Sequence, residues 1–240
     1  NYFYWHDVRF GSPVKHISDV IAICRKVMKE SHLNPVKYEG TERSISLVGF
    51  DRPFVPKQTE IPIYMGSVGP LMTKKCGEIA EGWVSHELCS PQYLKSNIIP
   101  KLKEGSTDTK IPKIVVSGLT VVDKDEKRAK RIAAGTVAFY ASVKTYDEFF
   151  SGHGFGNEAK KIRELFKNGD VEGMIKHVPD EMVDVFAIAG NKDFVSESIN
   201  RYTGIVDEIK LTPPTHYVTE NDTRYAQKSI LSLVKEGEVN

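Results

Sequence analysis

The sequence predicts an α/β fold in which helices cover both faces of a parallel sheet. Short apolar runs alternate along the chain with longer segments of helical periodicity, a pattern typical of repeated strand–helix units. The runs are continuously apolar, as in parallel strands that are buried on both faces. No short internal repeat or low-complexity linker interrupts the 240 residues. We therefore expect a single domain spanning residues 1–240.

The composition narrows the possible function classes. Basic and acidic residues nearly balance, 33 against 32, so no global field would attract nucleic acid or a membrane surface. The apolar runs are too short to cross a bilayer. The three cysteines, Cys24, Cys76 and Cys89, fit neither a zinc spacing nor a disulfide framework, which favours a reducing cytoplasm. Cys24 and Cys76 fall on apolar helix faces, and we expect both to be buried.

The first half of the chain predicts one long helix and then two strand–helix steps. Ser12 is a candidate cap with Pro13 at the first helical position, and Pro91 begins a later helix in the same way. Gly82 is expected to end the preceding helix in a left-handed conformation. The predicted elements are helix 13–30, an irregular segment 36–56, strand 61–65, helix 70–81, strand 83–85 and a helix from 91 to about 103.

The second half predicts three more strands with helices between them. Residues 111–122 are rich in β-branched side chains, which favours a strand, and Asp123 is available to cap the helix that follows. The predicted elements are strand 111–122, helix 124–144, loop 146–157, helical pieces 157–167, 170–176 and 179–184, strand 186–190, helix 192–202, strand 204–211 and helix 221–235.

The strand-to-helix junction from Ile61 to Pro70 is the strongest candidate for a binding site. An apolar run ends at Gly66 and Gly69, and Pro70 suits the first position of the next helix. Free N–H groups at a helix N-terminus attract anions, and glycines let a phosphate approach the backbone closely. The same pattern also occurs in ordinary tight turns. The residues alone leave both interpretations open.

Six segments stand in a characteristic order along the chain: Pro13 to Arg25, Ile61 to Pro70, Ala80 to Val84, Val115 to Asp125, Val178 to Val183 and Phe186 to Gly190. This order resembles the luciferase-like family of (β/α)8 barrels, which includes flavin-dependent monooxygenases and reductases that use a deazaflavin coenzyme. Within that family, the chain is similar to the methylenetetrahydromethanopterin reductases that depend on the deazaflavin coenzyme F420. Glu81 stands where the family usually has aspartate.

The resemblance implies a TIM-type barrel of which this chain holds only the C-terminal part. It places strands five to eight, with their helices and an inserted helical segment, in residues 1–240. We then expect the N-terminal half of the barrel to lie upstream of Asn1. Most residues that the family uses for chemistry belong to that half, so the catalytic residues are unknown. The resemblance also implies a homo-oligomer.

The resemblance assigns the junction to a cofactor. Gly66, Ser67, Val68 and Gly69 would contact the ring edge and the phosphate-bearing tail, with the Ser67 hydroxyl as an additional donor. No metal site is expected, because five of the histidines show no ligand spacing with one another: His6, His16, His32, His177 and His216.

Ser85 and His86 end the second predicted strand, which would place them on the catalytic rim of a barrel. They are the candidate substrate-binding residues. The alternative for His86 is a loop histidine that is hydrogen-bonded to backbone.

The predicted function is that of an oxidoreductase. A hydride would pass between the reduced deazaflavin coenzyme F420 and a small substrate, for which methylenetetrahydromethanopterin is the candidate. The protein would fix the two rings at transfer distance and exclude water. An FMN-dependent luciferase-like monooxygenase is the first alternative. A flavin-binding barrel that has lost its chemistry is the second.

Overall fold

The computed structural model describes residues 11–107 and 111–235, which divide into two compact units. Within the described residues, unit 1 holds 11–84, 97–107 and 111–113, and unit 2 holds 85–96 and 114–235. That residues 1–240 form one domain stays a prediction. In the described part, no helix combines the length and the apolar character needed to cross a membrane.

Helices and strands alternate as the sequence predicts. The strands are β1 (Val36–Tyr38), β2 (Ile45–Leu47), β3 (Tyr64–Gly66), β4 (Gly82–Val84), β5 (Lys113–Val122), β6 (Ile188–Gly190) and β7 (Glu208–Thr212). The α-helices are α1 (Pro13–Glu30), α2 (Pro70–Ile79), α3 (Pro91–Tyr93), α4 (Ile99–Gly105), α5 (Glu126–Ser142), α6 (Asp147–Gly152), α7 (Gly156–Lys167), α8 (Val171–Lys176), α9 (Asp180–Phe186), α10 (Lys192–Asn200) and α11 (Glu220–Lys235). A π-helix over Leu94–Ile98 joins α3 to α4, and a 3-10 turn over Lys144–Tyr146 precedes α6.

In unit 1, a strand–helix–strand step forms around α2. Strands β3 and β4 pair in parallel, with Tyr64 opposite Gly82 and Gly66 opposite Val84. The carboxyl ends of both strands therefore lie at the same edge. Strands β1 and β2 form a separate antiparallel pair inside the segment that the sequence leaves irregular.

The expected role of Gly82 is wrong. Helix α2 ends at Ile79, and Gly82 is the first residue of β4 rather than a left-handed helix cap. A Cβ atom at Gly82 would lie 2.6 Å from the aromatic ring of Tyr64. Glycine is needed here because the ring passes over the strand backbone, so the requirement is steric.

In unit 2, β5 is the central strand. It pairs in parallel with β7 through residues 115–119 and with β6 through residues 120–122. Helix α5 packs against this region with a face of small and β-branched residues, which lets α7, α8 and α9 approach closely. The core includes Leu119, Val137 and Phe150, none of which is exposed.

Three other details differ from the sequence prediction. Asp125, not Asp123, caps α5 by accepting a hydrogen bond from the N–H of Arg128. The expected loop 146–157 contains helix α6, whose aromatic residues pack into the core. Cys24 is exposed although its position on α1 predicts burial, whereas Cys76 is buried as expected.

Candidate functional site

The glycine junction in unit 1 has an open backbone. A Cβ atom at Gly69 would meet no heavy atom within 4 Å, and one at Gly66 would meet only the Val84 carbonyl oxygen at 3.8 Å. The backbone angles of Gly69, φ −72° and ψ 149°, are available to any residue. These glycines are therefore not required by conformation. Their lack of a side chain leaves space against the backbone that a ligand group can occupy.

The start of helix α2 fits an anion. Its N-cap is Gly69, which has no side chain to accept from the first-turn N–H groups, and Pro70 follows at the first helical position. The first helical hydrogen bond runs from Thr73 N–H to the Gly69 carbonyl at 2.9 Å. The helix macrodipole adds partial positive charge at this end. The residues present thus suit a phosphate-bearing cofactor, because backbone amides and the dipole supply the attraction.

The Ser67 hydroxyl takes part in an internal network. It is buried and accepts a hydrogen bond from Trp83 Nε1 at 2.9 Å, and its oxygen lies 3.0 Å from Thr73 Oγ1. Thr73 Oγ1 donates to the Gly69 carbonyl at 3.0 Å, so the hydrogen between the two hydroxyls comes from Ser67. The hydroxyl is therefore engaged within the fold, and cofactor contact by Ser67 stays a prediction.

A second network holds the beginning of β3. Arg25 Nη2 on α1 donates to Glu81 Oε1 at 2.7 Å and to the Ile79 carbonyl at 2.6 Å. Glu81 Oε2 accepts the N–H of Ile63 at 2.9 Å. Glu81 thus binds Arg25 and the Ile63 N–H at once, which joins Arg25 to the segment before β3. The bond to the Ile79 carbonyl joins Arg25 to the end of α2. Sequence reasoning missed this pairing because 56 residues separate Arg25 from Glu81.

Two apolar side chains near the junction are exposed. Tyr64 on β3 is 39% exposed and Leu71 in the first turn of α2 is 73% exposed. Burying such side chains against a ligand ring would stabilise binding by removing apolar surface from water. The junction therefore offers both polar backbone groups and apolar surface.

Ser85, in unit 2, has its hydroxyl engaged by the fold. The hydroxyl is buried, donates to the His86 carbonyl at 2.7 Å and accepts the N–H of Ser117 at 2.8 Å. The Ser85 N–H donates to the Val115 carbonyl at 3.0 Å. These bonds fasten the chain after β4 alongside β5. Substrate contact by Ser85 stays a prediction.

His86 lies among aromatic rings. Its ring centroid is 5.5 Å from that of Tyr140, 5.1 Å from Tyr146 and 5.3 Å from Phe149. Nδ1 accepts the N–H of Leu88 at 3.2 Å, so the proton of the neutral ring sits on Nε2. Burial lowers the pKa of His86 to about 4. These surroundings are those of the backbone-bonded histidine that the sequence left as the alternative, and substrate contact by His86 stays a prediction.

The predicted site residues belong to both units. Gly66, Ser67, Val68 and Gly69 are in unit 1, and Ser85 and His86 are in unit 2. Among residues 11–107 and 111–235, no group of three or more His, Cys, Asp or Glu side chains could hold a metal ion. His6 lies outside these residues.

Comparison with known proteins decides the family. The family model described as luciferase-like monooxygenase matches residues 1–208. The chain belongs to the luciferase-like monooxygenase family. The predicted family is thereby confirmed.

Two relatives of this luciferase-like chain are archaeal 5,10-methylenetetrahydromethanopterin reductases. The protein from Archaeoglobus fulgidus is 29% identical over 203 residues, which cover 80% of this chain and 58% of the relative. The protein from Methanopyrus kandleri is 32% identical over 170 residues, which cover 69% of this chain and 48% of the relative. The chain thus spans about half the length of the curated relatives it matches.

A solved structure shows the fold of the luciferase-like chain. The coenzyme F420 dependent tetrahydromethanopterin reductase from Methanopyrus kandleri matches with a TM-score of 0.73 and 24% identity, over 95% of this chain and 66% of that chain. The predicted TIM-type α/β fold of the luciferase-like family is confirmed.

Proposed function

We propose that this luciferase-like chain is part of an oxidoreductase that uses coenzyme F420, with the glycine junction holding the coenzyme's phosphate-bearing portion. The two archaeal relatives are named as reductases, and the solved structure from Methanopyrus kandleri is named as dependent on coenzyme F420. The observation that carries the proposal is the open backbone at Gly69, next to a helix start that has no capping side chain. When bound, the coenzyme supplies the hydride chemistry.

In this proposal, the chain's own residues bind and orient. The amides at the start of α2 attract the anion, and Tyr64 and Leu71 cover apolar parts of the ligand. Arg25 and Glu81 hold the segment before β3 in place. Fixing the ligand before reaction reduces the entropy that must be lost on the way to the transition state.

The proposed substrate is suggested by the two archaeal relatives. The names of both archaeal relatives support methylenetetrahydromethanopterin, a pterin that carries a one-carbon group, as the small-molecule substrate. The balanced charge and sparse cysteines support a cytoplasmic enzyme. The resemblance to the luciferase-like family supports a homo-oligomer.

The alternative is an FMN-dependent monooxygenase of the same family. The description of the matching family model favours it. An anion site built from backbone amides would serve the FMN phosphate equally well. A non-catalytic flavin-binding barrel is the third candidate, and only turnover separates it from the other two.

Ligand titration of the protein separates these candidates. We expect coenzyme F420 to bind and FMN to bind far more weakly. The fluorescence of each ligand measures its binding. Hydride transfer would then be measured from the reduced coenzyme to methylenetetrahydromethanopterin. Tight FMN binding without affinity for coenzyme F420 would overturn the proposal, and turnover with FMN would then establish the monooxygenase alternative. F420 binding without turnover of any tested substrate would favour the non-catalytic barrel.

A variant pair tests the location of the site. Gly69→Ala adds a methyl group into open space, so the fold tolerates it while the ligand's approach to the backbone is obstructed. We expect the dissociation constant for coenzyme F420 to rise roughly tenfold. Gly152→Ala is the matched control, because a Cβ there also meets nothing within 4 Å and Gly152 is in unit 2. Equal affinity of the two variants would place the coenzyme elsewhere.

A further inference from the structure

We infer that Thr73 and Trp83 are positioning residues for the cofactor junction and act through the Ser67 hydroxyl. The inference rests on the proposed function, in that the junction is taken to bind coenzyme F420. Neither side chain needs to touch the ligand. Their effect is to hold the loop between β3 and α2 in the shape that presents its backbone.

The hydrogen bonds from Trp83 to Ser67, from Ser67 to Thr73 and from Thr73 to the Gly69 carbonyl form a relay, in which each group donates to the next. The indole Nε1–H of Trp83 can only donate, and it lies 2.9 Å from Ser67 Oγ and 3.1 Å from the Ser67 carbonyl oxygen. Thr73 Oγ1 donates to the Gly69 carbonyl at 3.0 Å. Ser67 must therefore donate to Thr73, at 3.0 Å. This arrangement satisfies every donor of the three side chains at once.

The relay fixes both ends of the loop between β3 and α2. Ser67 is the first residue after β3, and the Gly69 carbonyl belongs to the last residue before α2. Glycine backbones have more conformational freedom than others, and Gly66 and Gly69 have no side chains to pack. Without cross-bonds, the amides of this loop would sample several orientations. With them, the amides are arranged before the ligand arrives, which lowers the cost of binding.

Burial makes the relay sensitive to single changes. Ser67 is 8% exposed, whereas Thr73 and Trp83 are each 1% exposed. A buried donor that loses its acceptor is not compensated by water. Thr73→Val keeps the shape of the side chain and removes the hydroxyl, which leaves the Ser67 hydroxyl without its acceptor. Thr73→Ser keeps the hydroxyl and removes a methyl group.

The test compares these two variants in a titration of the protein with coenzyme F420. We expect Thr73→Val to raise the dissociation constant about fivefold, the effect of one buried hydrogen bond. Thr73→Ser should bind within about twofold of the wild type, because it rebuilds the relay. Trp83→Phe should weaken binding as Thr73→Val does, and the double variant should be weaker by less than the product of the two effects, because both break one relay.

A stability control separates positioning from general damage. Val36→Ala truncates a fully buried side chain in β1 of unit 1, and it should lower the melting temperature without changing the affinity for coenzyme F420. If Thr73→Val binds like the wild type, or if Thr73→Ser binds as weakly as Thr73→Val, the relay has no positioning role, while the proposed function stands. If the wild type binds neither coenzyme F420 nor FMN, the proposed function fails and the relay loses its purpose with it.

Discussion

Acidification should destabilise the protein through His86. The imidazole is packed among three aromatic rings, and burial lowers its pKa from 6.5 to about 4. Between these two pH values, the unfolded chain binds a proton at this side chain and the folded chain does not. The stabilising contribution is therefore complete above pH 6.5 and is lost as the pH falls towards 4.

The size of the effect follows from the shift. A difference of 6.5 − 4 = 2.5 pH units, at about 1.36 kcal/mol per unit, corresponds to about 3 kcal/mol of unfolding free energy. Domains are typically stable by only about 5–15 kcal/mol, so one histidine would remove a large share. The Nε2 atom supports a sizeable effect, because it is buried and has no hydrogen-bond partner among the described residues.

The assay compares the wild type with His86→Asn. Asparagine places its side-chain oxygen near the position of Nδ1, so it can still accept the N–H of Leu88, but it does not titrate. Urea unfolding at several pH values from 7 to 4 gives the free energy of each protein. We expect the wild type to lose about 3 kcal/mol more than the variant over this range. His177→Asn, at an exposed position, is the control and should keep the wild-type profile.

Two results would refute this reasoning. The unfolding free energies of the wild type and His86→Asn could change with pH in the same way. The imidazole would then bind protons equally in the folded and unfolded states. A directly measured pKa near 6.5 for His86, from the NMR titration of its ring protons, would show that the ring is solvated. Either result would also argue against His86 as a packed, desolvated residue and would support its predicted contact with substrate.

Two further predictions concern glycines and are checked by urea unfolding. Gly82→Ala should destabilise the protein by about 1–3 kcal/mol, because the new Cβ would lie 2.6 Å from the Tyr64 ring, and adding Tyr64→Ala should restore part of the loss. Gly135→Ala should also cost about 1–3 kcal/mol, because its Cβ would lie 2.7 Å from the Tyr217 carbonyl oxygen, whereas Gly152→Ala should be neutral or stabilising by up to about 1 kcal/mol. If Gly82→Ala were neutral, or if Gly135→Ala and Gly152→Ala had equal stability, the steric reasoning would be wrong.

The helices and strands were predictable where the local sequence determines them. Pro13 fixes the start of α1, and continuous apolar runs reveal β5 and β6, because such runs gain most from burial on both faces of a sheet. Helix α6 was missed because it is short and ends at Gly152, and its aromatic residues are held by tertiary packing. Local propensity carries little information about such a segment.

The candidate site was predictable only in part. The sequence indicates an anion site at Gly66 to Gly69 because glycine content and a helix start are local features. It does not reveal the partners of the Ser67 hydroxyl within the fold, which are Thr73 and Trp83. Nothing in a single sequence says which of several polar groups a buried hydroxyl will meet. The hydrogen-bond partners of a loop are set by the packing of the strands around it.

The register of β3 and β4 shows why two segments that look independent in the sequence form one site. Gly82 lies opposite Tyr64, so the strand that follows α2 runs beside the strand that precedes it. Glu81, one residue earlier, accepts the N–H of Ile63, and the absence of a side chain at Gly82 makes room for the Tyr64 ring. The parallel register thus determines which residue each of these residues contacts.

Trp83 connects strand β4 to the glycine junction. Its backbone pairs with Met65, and its indole reaches forward to Ser67, at the first position of the loop. A change in either segment therefore acts on the other: shortening the side chain at 83 would release Ser67, and a side chain at 82 would displace the tyrosine. Since β3 and β4 hold each other in one register, the position of β4 helps to determine the shape of the loop between β3 and α2. The proposed anion-binding geometry would for this reason depend on both segments together.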